Sequence, residues 1–184
     1  MKYRINKLVL TIDIVLIAVL IFLDQLSKSV VNTYLKGQEA IVLIPGVFEL
    51  RYLENRGAAF GILQNKQWFF LAISIAFFVF AIILLVWIPT YKKYRLLRFT
   101  LVLLAAGAFG NFIDRAFLGY VVDFLYFVYI NFPIFNVADC YVSVGTALLV
   151  ILVMFYYKDE ELDFKKARAD IKIHSSMKSD EQEN

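Results

Sequence analysis

A chain of 184 residues that is 61% hydrophobic and 17% aromatic, with a mean hydropathy of +0.68, is too apolar for a soluble domain of this size and reads as an integral membrane protein. A net charge of +3 leaves too little basic surface to suggest nucleic acid as a partner. One cysteine, Cys140, excludes an internal disulfide, and one histidine, His174, set in a polar tail, argues against a metal cluster or histidine-dependent catalysis.

Four apolar runs, near residues 8–30, 68–88, 97–115 and 137–157, are long enough to cross a bilayer core, which takes ~20 helical residues. The first is too long for a cleavable signal peptide and lacks a clear small-residue cleavage site, so it is kept as a span. On it, Asp24 and Lys28 share a helix face near one end, and the plain reading is an interfacial ion pair with Lys28 reaching toward headgroups. Asp13 is expected at the opposite interface.

The loop of residues 31–67 holds two strand-like patches, IVLI at 41–44 and VFELRYL at 47–53, parted by Pro45 and Gly46, which predict a small sheet. Its end, Asn55 to Gly61, is rich in small residues. That composition suits either backbone approaching a substrate or another helix, or a turn into the second span. The third span closes on Gly110, Asn111, Asp114 and Arg115, which predict a polar network at its boundary.

Residues 116–136 are rich in Phe and Tyr. If residues 116–130 were helical they would cover only ~22 Å, so the segment is expected to lie in the membrane interface rather than cross it. Asp139 opens the fourth span with Ser143 and Thr146 on its face, and Asn136 or Asp139 would serve as a helix cap. The polar tail, residues 158–184, predicts a frayed helix followed by disorder.

Lys2, Arg4 and Lys7 precede the first span, Lys92, Lys93, Arg95 and Arg98 crowd the second link, and six more basic residues follow the fourth span. The positive-inside rule therefore places both termini and the second link in the cytoplasm, and loops 31–67 and 116–136 outside. The expected organisation is a four-helix all-α membrane domain, residues 1–157, with a small β-rich outer loop region and an interfacial outer segment, followed by a cytoplasmic tail.

Residues 68–157 contain only three acidic side chains, and two of them, Asp123 and Asp139, fall at the outer edge. Carboxylates in such surroundings point to chemistry. Two of them sharing a poorly hydrated site cannot both ionise cheaply, so the pair holds one proton and offers an acid and a base together. That is the aspartic-protease pattern for peptide hydrolysis, and it requires neither a metal nor a nucleophilic side chain.

Five motifs in order carry a resemblance: Asp24-Gln25 with Lys28; Asn55 with Gly57-Ala58-Ala59-Phe60; Gly110-Asn111 with Asp114-Arg115; Gly119 to Phe124; and Phe135 to Asp139. Together they resemble the lipoprotein signal peptidase, or signal peptidase II, family. The resemblance implies a bacterial four-span aspartic endopeptidase of the cytoplasmic membrane with Asp123 and Asp139 as its catalytic pair. It further implies that Asp24, Lys28, Asn55, Gly57, Asn111, Arg115 and Asn136 shape the site or hold substrate. The substrate would be a prolipoprotein cleaved just before a cysteine that carries diacylglyceryl. No cofactor is expected, membrane lipids are the surroundings, and a monomer is the expected state. Cys140 departs from the serine often found after the second aspartate and is assigned no role.

The main alternative is a small proton-coupled transporter or channel lined by Asp114, Arg115, Asp123 and Asp139. Such a protein would place its acids at mid-membrane and often repeat its halves, and this chain shows neither. A structural subunit would explain the spans but not the acidic pair. A serine protease is disfavoured because Ser27 and Lys28 point to different helix faces.

Overall fold

The computed structural model describes residues 6–57, 67–164 and 166. It is mostly helical. Helix α1 spans Lys7–Tyr34, α2 Gln67–Trp87, α3 Arg95–Phe117 and α4 Val137–Ile151, and α4 continues through a π-helical turn, Leu152–Tyr156. By length and composition these four stretches can cross a membrane. Asn6 caps α1, its side chain accepting from the N–H groups of Leu8 and Val9.

Helix α3 is the central post. It packs against α1, α2 and α4, and 67% of its apolar stretch is buried, against 17% or less for the other three. Its sequence explains the position: Ala105, Ala106 and Gly107 let neighbouring backbones come close, the main route to tight packing between apolar helices in lipid. The outer helices expose Phe22, Phe80 and Ile151, as lipid-facing helices should. At the α3–α4 crossing, a Cβ on Gly107 would stand 2.5 Å from the Ala138 carbonyl oxygen and 2.7 Å from Val142 Cγ2. Gly107→Ala is therefore expected to lower stability by ~1–3 kcal/mol through overpacking, measured as a lower unfolding temperature in detergent.

Asp13, expected at the interface, is buried within the bundle and ion-paired with Arg98, which is buried too. Arg98 also donates through Nη1 to the carbonyls of Leu85 (2.7 Å) and Ile88 (3.0 Å), at the end of α2. Pro89 follows and stops that helix, so its last carbonyls have no intrahelical donor and take one from α3.

The sheet contains strands β1 (Ile41–Ile44), β2 (Phe48–Asn55) and β3 (Val121–Phe127), antiparallel in the order β1-β2-β3. The first two coincide with the strand-like patches. The third comes from the aromatic segment read as interfacial, where no strand was expected. Residues Val121 to Phe124 are buried in succession, so the alternation that marks a half-exposed strand is missing. Val122 and Phe124 pack with Val31 and Leu35 at the end of α1. Val121 and Asp123 face the other way, into a cavity.

After β3 the chain turns back at Asn131, which takes a left-handed conformation, φ 48°. Phe132 N–H donates to Phe127 (3.1 Å), and Phe135 exchanges backbone hydrogen bonds with Leu125. This return delivers Asn136 and the start of α4 to the side of Asp123. At the far end of the bundle a short helix α5, Asp159–Leu162, follows Tyr157, whose ring stacks on Tyr94 at 5.6 Å. The disorder expected for the remaining tail lies outside the described residues.

Candidate active site

Asp123 sits on β3 and Asp139 in the first turn of α4, and both line one cavity of about 540 Å³. Asn136 ties them together. Its Nδ2 donates to Asp123 Oδ1 (2.6 Å), its backbone N–H donates to Asp139 Oδ2 (3.1 Å), and its Oδ1 accepts from Asp139 N–H (3.0 Å). The last two bonds form a capping box, so both candidate caps of α4 act together and Asp139 is at once cap and site carboxylate.

The remaining carboxylate oxygens are also engaged. Asn55 at the end of β2 donates to Asp123 Oδ2 (2.8 Å), and Asn111 on α3 donates to Asp139 Oδ1 (2.8 Å). The orientation of Asn111 is dictated from behind. Lys28 can only donate, and it meets Asn111 Oδ1 at 3.0 Å, which leaves the Nδ2 end for Asp139. Asn55 is braced in turn, its Oδ1 accepting from Gly57 N–H (2.9 Å). Burial, and then the neighbouring Asp139 carboxylate, push the pKa of Asp123 up to about 7, against the two asparagine hydrogen bonds that favour its charge.

Of the other residues singled out in the sequence, Asn55, Gly57, Asn111 and Arg115 line the cavity. The Arg115 guanidinium lies 5.1 Å from the centre of the Phe70 ring. Asp24 and Lys28 are brought close but stand behind the cavity wall. Lys28 does not reach toward headgroups. It is buried, with Nζ 2.9 Å from Asp24 and 3.0 Å from Asp114, and the bond to Asn111 uses its third donor. Gly110 makes this possible, because a Cβ there would lie 2.6 Å from Asp24 Oδ2.

Two parts of the site were not among the candidate site residues. One is the apolar wall formed by the returning segment Phe132 to Phe135, which carries no periodic signal. The other is Gln25, whose amide reaches Asp24, Gly110 and Asp114; a polar residue in an apolar span was the available clue. Among the described residues, no group of three or more His, Cys, Asp or Glu is placed to hold a metal ion. What the arrangement offers is a pair of carboxylates beside a mostly apolar cavity, suited to general acid–base chemistry.

Comparison with known proteins agrees with this chemistry. A family model described as "Signal peptidase (SPase) II" matches residues 16–155. The lipoprotein signal peptidase of Streptococcus thermophilus is 46% identical over 139 residues, covering 76% of this chain and 90% of that protein. Its namesake in Clostridioides difficile is 46% identical over 143 residues, covering 78% and 95%. That of Brevibacillus brevis is 45% identical over 151 residues, covering 82% and 95%. Two solved structures described as bacterial membrane enzymes are 30% and 32% identical, each with a TM-score of 0.68, covering 86% and 85% of this chain and 97% and 99% of theirs. A match that takes in all four membrane helices and both carboxylates means that the chain belongs to the signal peptidase II family and is an aspartic peptidase built on a multi-pass bacterial membrane protein.

Proposed function

We propose that this peptidase removes the signal peptide of diacylglyceryl-modified prolipoproteins, cutting just before the lipidated cysteine, with Asp123 and Asp139 as its catalytic pair. The observation that carries the assignment is Asn136, bonded to both carboxylates at the wall of one cavity. The ionised carboxylate takes a proton from water as the water oxygen attacks the scissile carbonyl carbon. The protonated carboxylate gives its proton to the carbonyl oxygen. Collapse of the tetrahedral intermediate breaks the C–N bond: one of its hydroxyls returns a proton to the ionised carboxylate, and the protonated carboxylate gives its proton to the departing amine.

Asn55, Asn111 and Asn136 hold the carboxylates in place, while Gly57 and Arg115, on the cavity wall, are positioned to hold the peptide. Asp24 and Lys28 shape the site from behind. The apolar returning segment suits lipid chains. The distribution of Lys and Arg supports cytoplasmic termini and a cavity near the outer face, where the cleavage site at the end of a signal peptide's apolar region arrives. Among the described residues, both carboxylates and the three asparagines that hold them come from one chain, which supports action as a monomer.

The test is cleavage in proteoliposomes of a synthetic precursor with and without diacylglyceryl on its cysteine. Mass spectrometry should find a new N-terminus at the lipidated cysteine and no comparable product from the unlipidated peptide. Equal cleavage of both, or cleavage elsewhere, would overturn the substrate assignment.

The same assay carries a pH prediction. Burial, and then the neighbouring Asp139 carboxylate, raise Asp123 to about 7, so above about 7 Asp123 no longer holds the proton that the acid must give. Turnover is therefore expected to fall as pH rises through about 7. A rate that keeps climbing well into the alkaline range would contradict the shared-proton mechanism.

A further inference from the structure

We infer that the spacing of the catalytic pair is set by two matching backbone latches joined on α1, and that Gln25 and Asp114 are positioning residues of the reaction. The inference rests on the assignment of Asp123 and Asp139 as the catalytic pair. Asp114 Oδ2 accepts from Val122 N–H (3.1 Å), the residue before Asp123. Asp24 Oδ1 accepts from Ala138 N–H (2.9 Å), the residue before Asp139. Each catalytic carboxylate thus has the peptide one position upstream gripped by a buried carboxylate from another helix.

The two latches are tied to each other. Lys28 Nζ lies 2.9 Å from Asp24 Oδ2 and 3.0 Å from Asp114 Oδ2. Gln25 Nε2 donates to Asp24 Oδ2 (3.1 Å), Asp114 Oδ1 (3.0 Å) and Gly110 O (3.1 Å). None of these four side chains lines the cavity: Lys28 reaches the pair through Asn111 and through its charge, and Asp24 and Asp114 reach it through backbone. Asp24, Lys28 and Asp114 are at most 3% exposed. At that burial a carboxylate that loses one donor is not rescued by water, which makes the ties stiff. Strand β3 and helix α4 are otherwise joined by the return at 128–136, whose Asn136 bonds both carboxylates, and by Val137, which packs with Val122 and Phe124. The cluster therefore works as a strut between the two elements that carry the reaction, where a misplacement of about 1 Å costs about 100-fold in rate.

Gln25→Met removes one tie while leaving both latches. Asp114→Asn does more, since one carbonyl oxygen cannot replace two acceptors and the new amide NH2 meets the NH2 of Gln25. Full-length variants are purified, their folded fraction and unfolding temperature measured, and kcat and KM determined on the lipidated precursor. Gln25→Met is expected to lower kcat about ten-fold and Asp114→Asn about 100-fold, each with KM within about three-fold of the parent. The double variant should be no worse than Asp114→Asn alone, because both changes act on one strut.

Unchanged kcat in folded Gln25→Met, a rise in KM alone, or activity lost only in step with folded protein would each overturn the inference. If Asp114→Asn does not fold, half-buried Gln25→Met decides alone. An Asp123→Asn arm separates the two levels. Cleavage by it removes the catalytic pair itself, whereas an inactive Asp123→Asn beside a fully active Gln25→Met removes the strut only.

Discussion

Asp123→Asn and Asp139→Asn are each expected to lower turnover of the lipidated precursor by about 10³- to 10⁴-fold, the scale of a general acid or base lost from a hydrolytic site. The protein should stay folded in both. At position 123, Asn55 and Asn136 each donate to one carboxylate oxygen, so the new amide turns its NH2 toward one of two donors and forfeits that bond. The unpaired donor costs ~1–3 kcal/mol. At position 139 the new amide keeps one acceptor for two donors, Asn136 N–H and Asn111 Nδ2, and loses one bond, worth ~1 kcal/mol. Precursor processing followed by gel shift, with unfolding temperatures measured alongside, separates lost chemistry from lost structure. Near-normal processing by either variant removes that carboxylate from the mechanism.

Arg98→Met should produce the largest loss of stability of any single change considered, ~3–5 kcal/mol, by leaving Asp13 buried without its partner. It also strips Leu85 and Ile88 of a donor to their carbonyls. The double change Asp13→Leu with Arg98→Met should recover much of that loss, because no isolated charge is left inside. Thermal unfolding of the purified variants decides it. If Arg98→Met unfolds within about a degree of the parent, the buried pair contributes little to stability.

Much of the site was legible because its chemistry is written in residue types that an apolar chain otherwise avoids. Asp123, Asp139 and the asparagines at 55, 111 and 136 stood out against Val, Leu and Phe, and their motifs fell in one order. The first two strands were legible from Pro45 and Gly46 set between the strand-like patches at 41–44 and 47–53. What stayed hidden depends on partners far away in the chain. Helical spacing paired Lys28 with Asp24 but could not reveal that α3 brings Asp114 and Asn111 to the same ammonium. Asp13 and Arg98, on different helices, have no local signal at all. The strand at 121–127 was hidden because burial of consecutive residues erases the period of two. The meeting of Asp123 with Asp139 depends on the Asn131 turn, whose effect is visible only once the chain has folded back.

Both polar clusters join α1 to α3. Asp13 and Arg98 are 85 positions apart in sequence, and so are Gln25 and Gly110. The two helices therefore run in the same direction, and with a rise of about 1.5 Å per residue both contacts demand one and the same registration. They behave as two pegs through a pair of rulers: a slide of even one residue would break both ends at once. A piston or one-turn ratchet of α1 along α3 is thus closed to this bundle as a way of admitting a peptide. The cavity wall that lies outside this registration includes the aromatic return, Phe132 to Phe135.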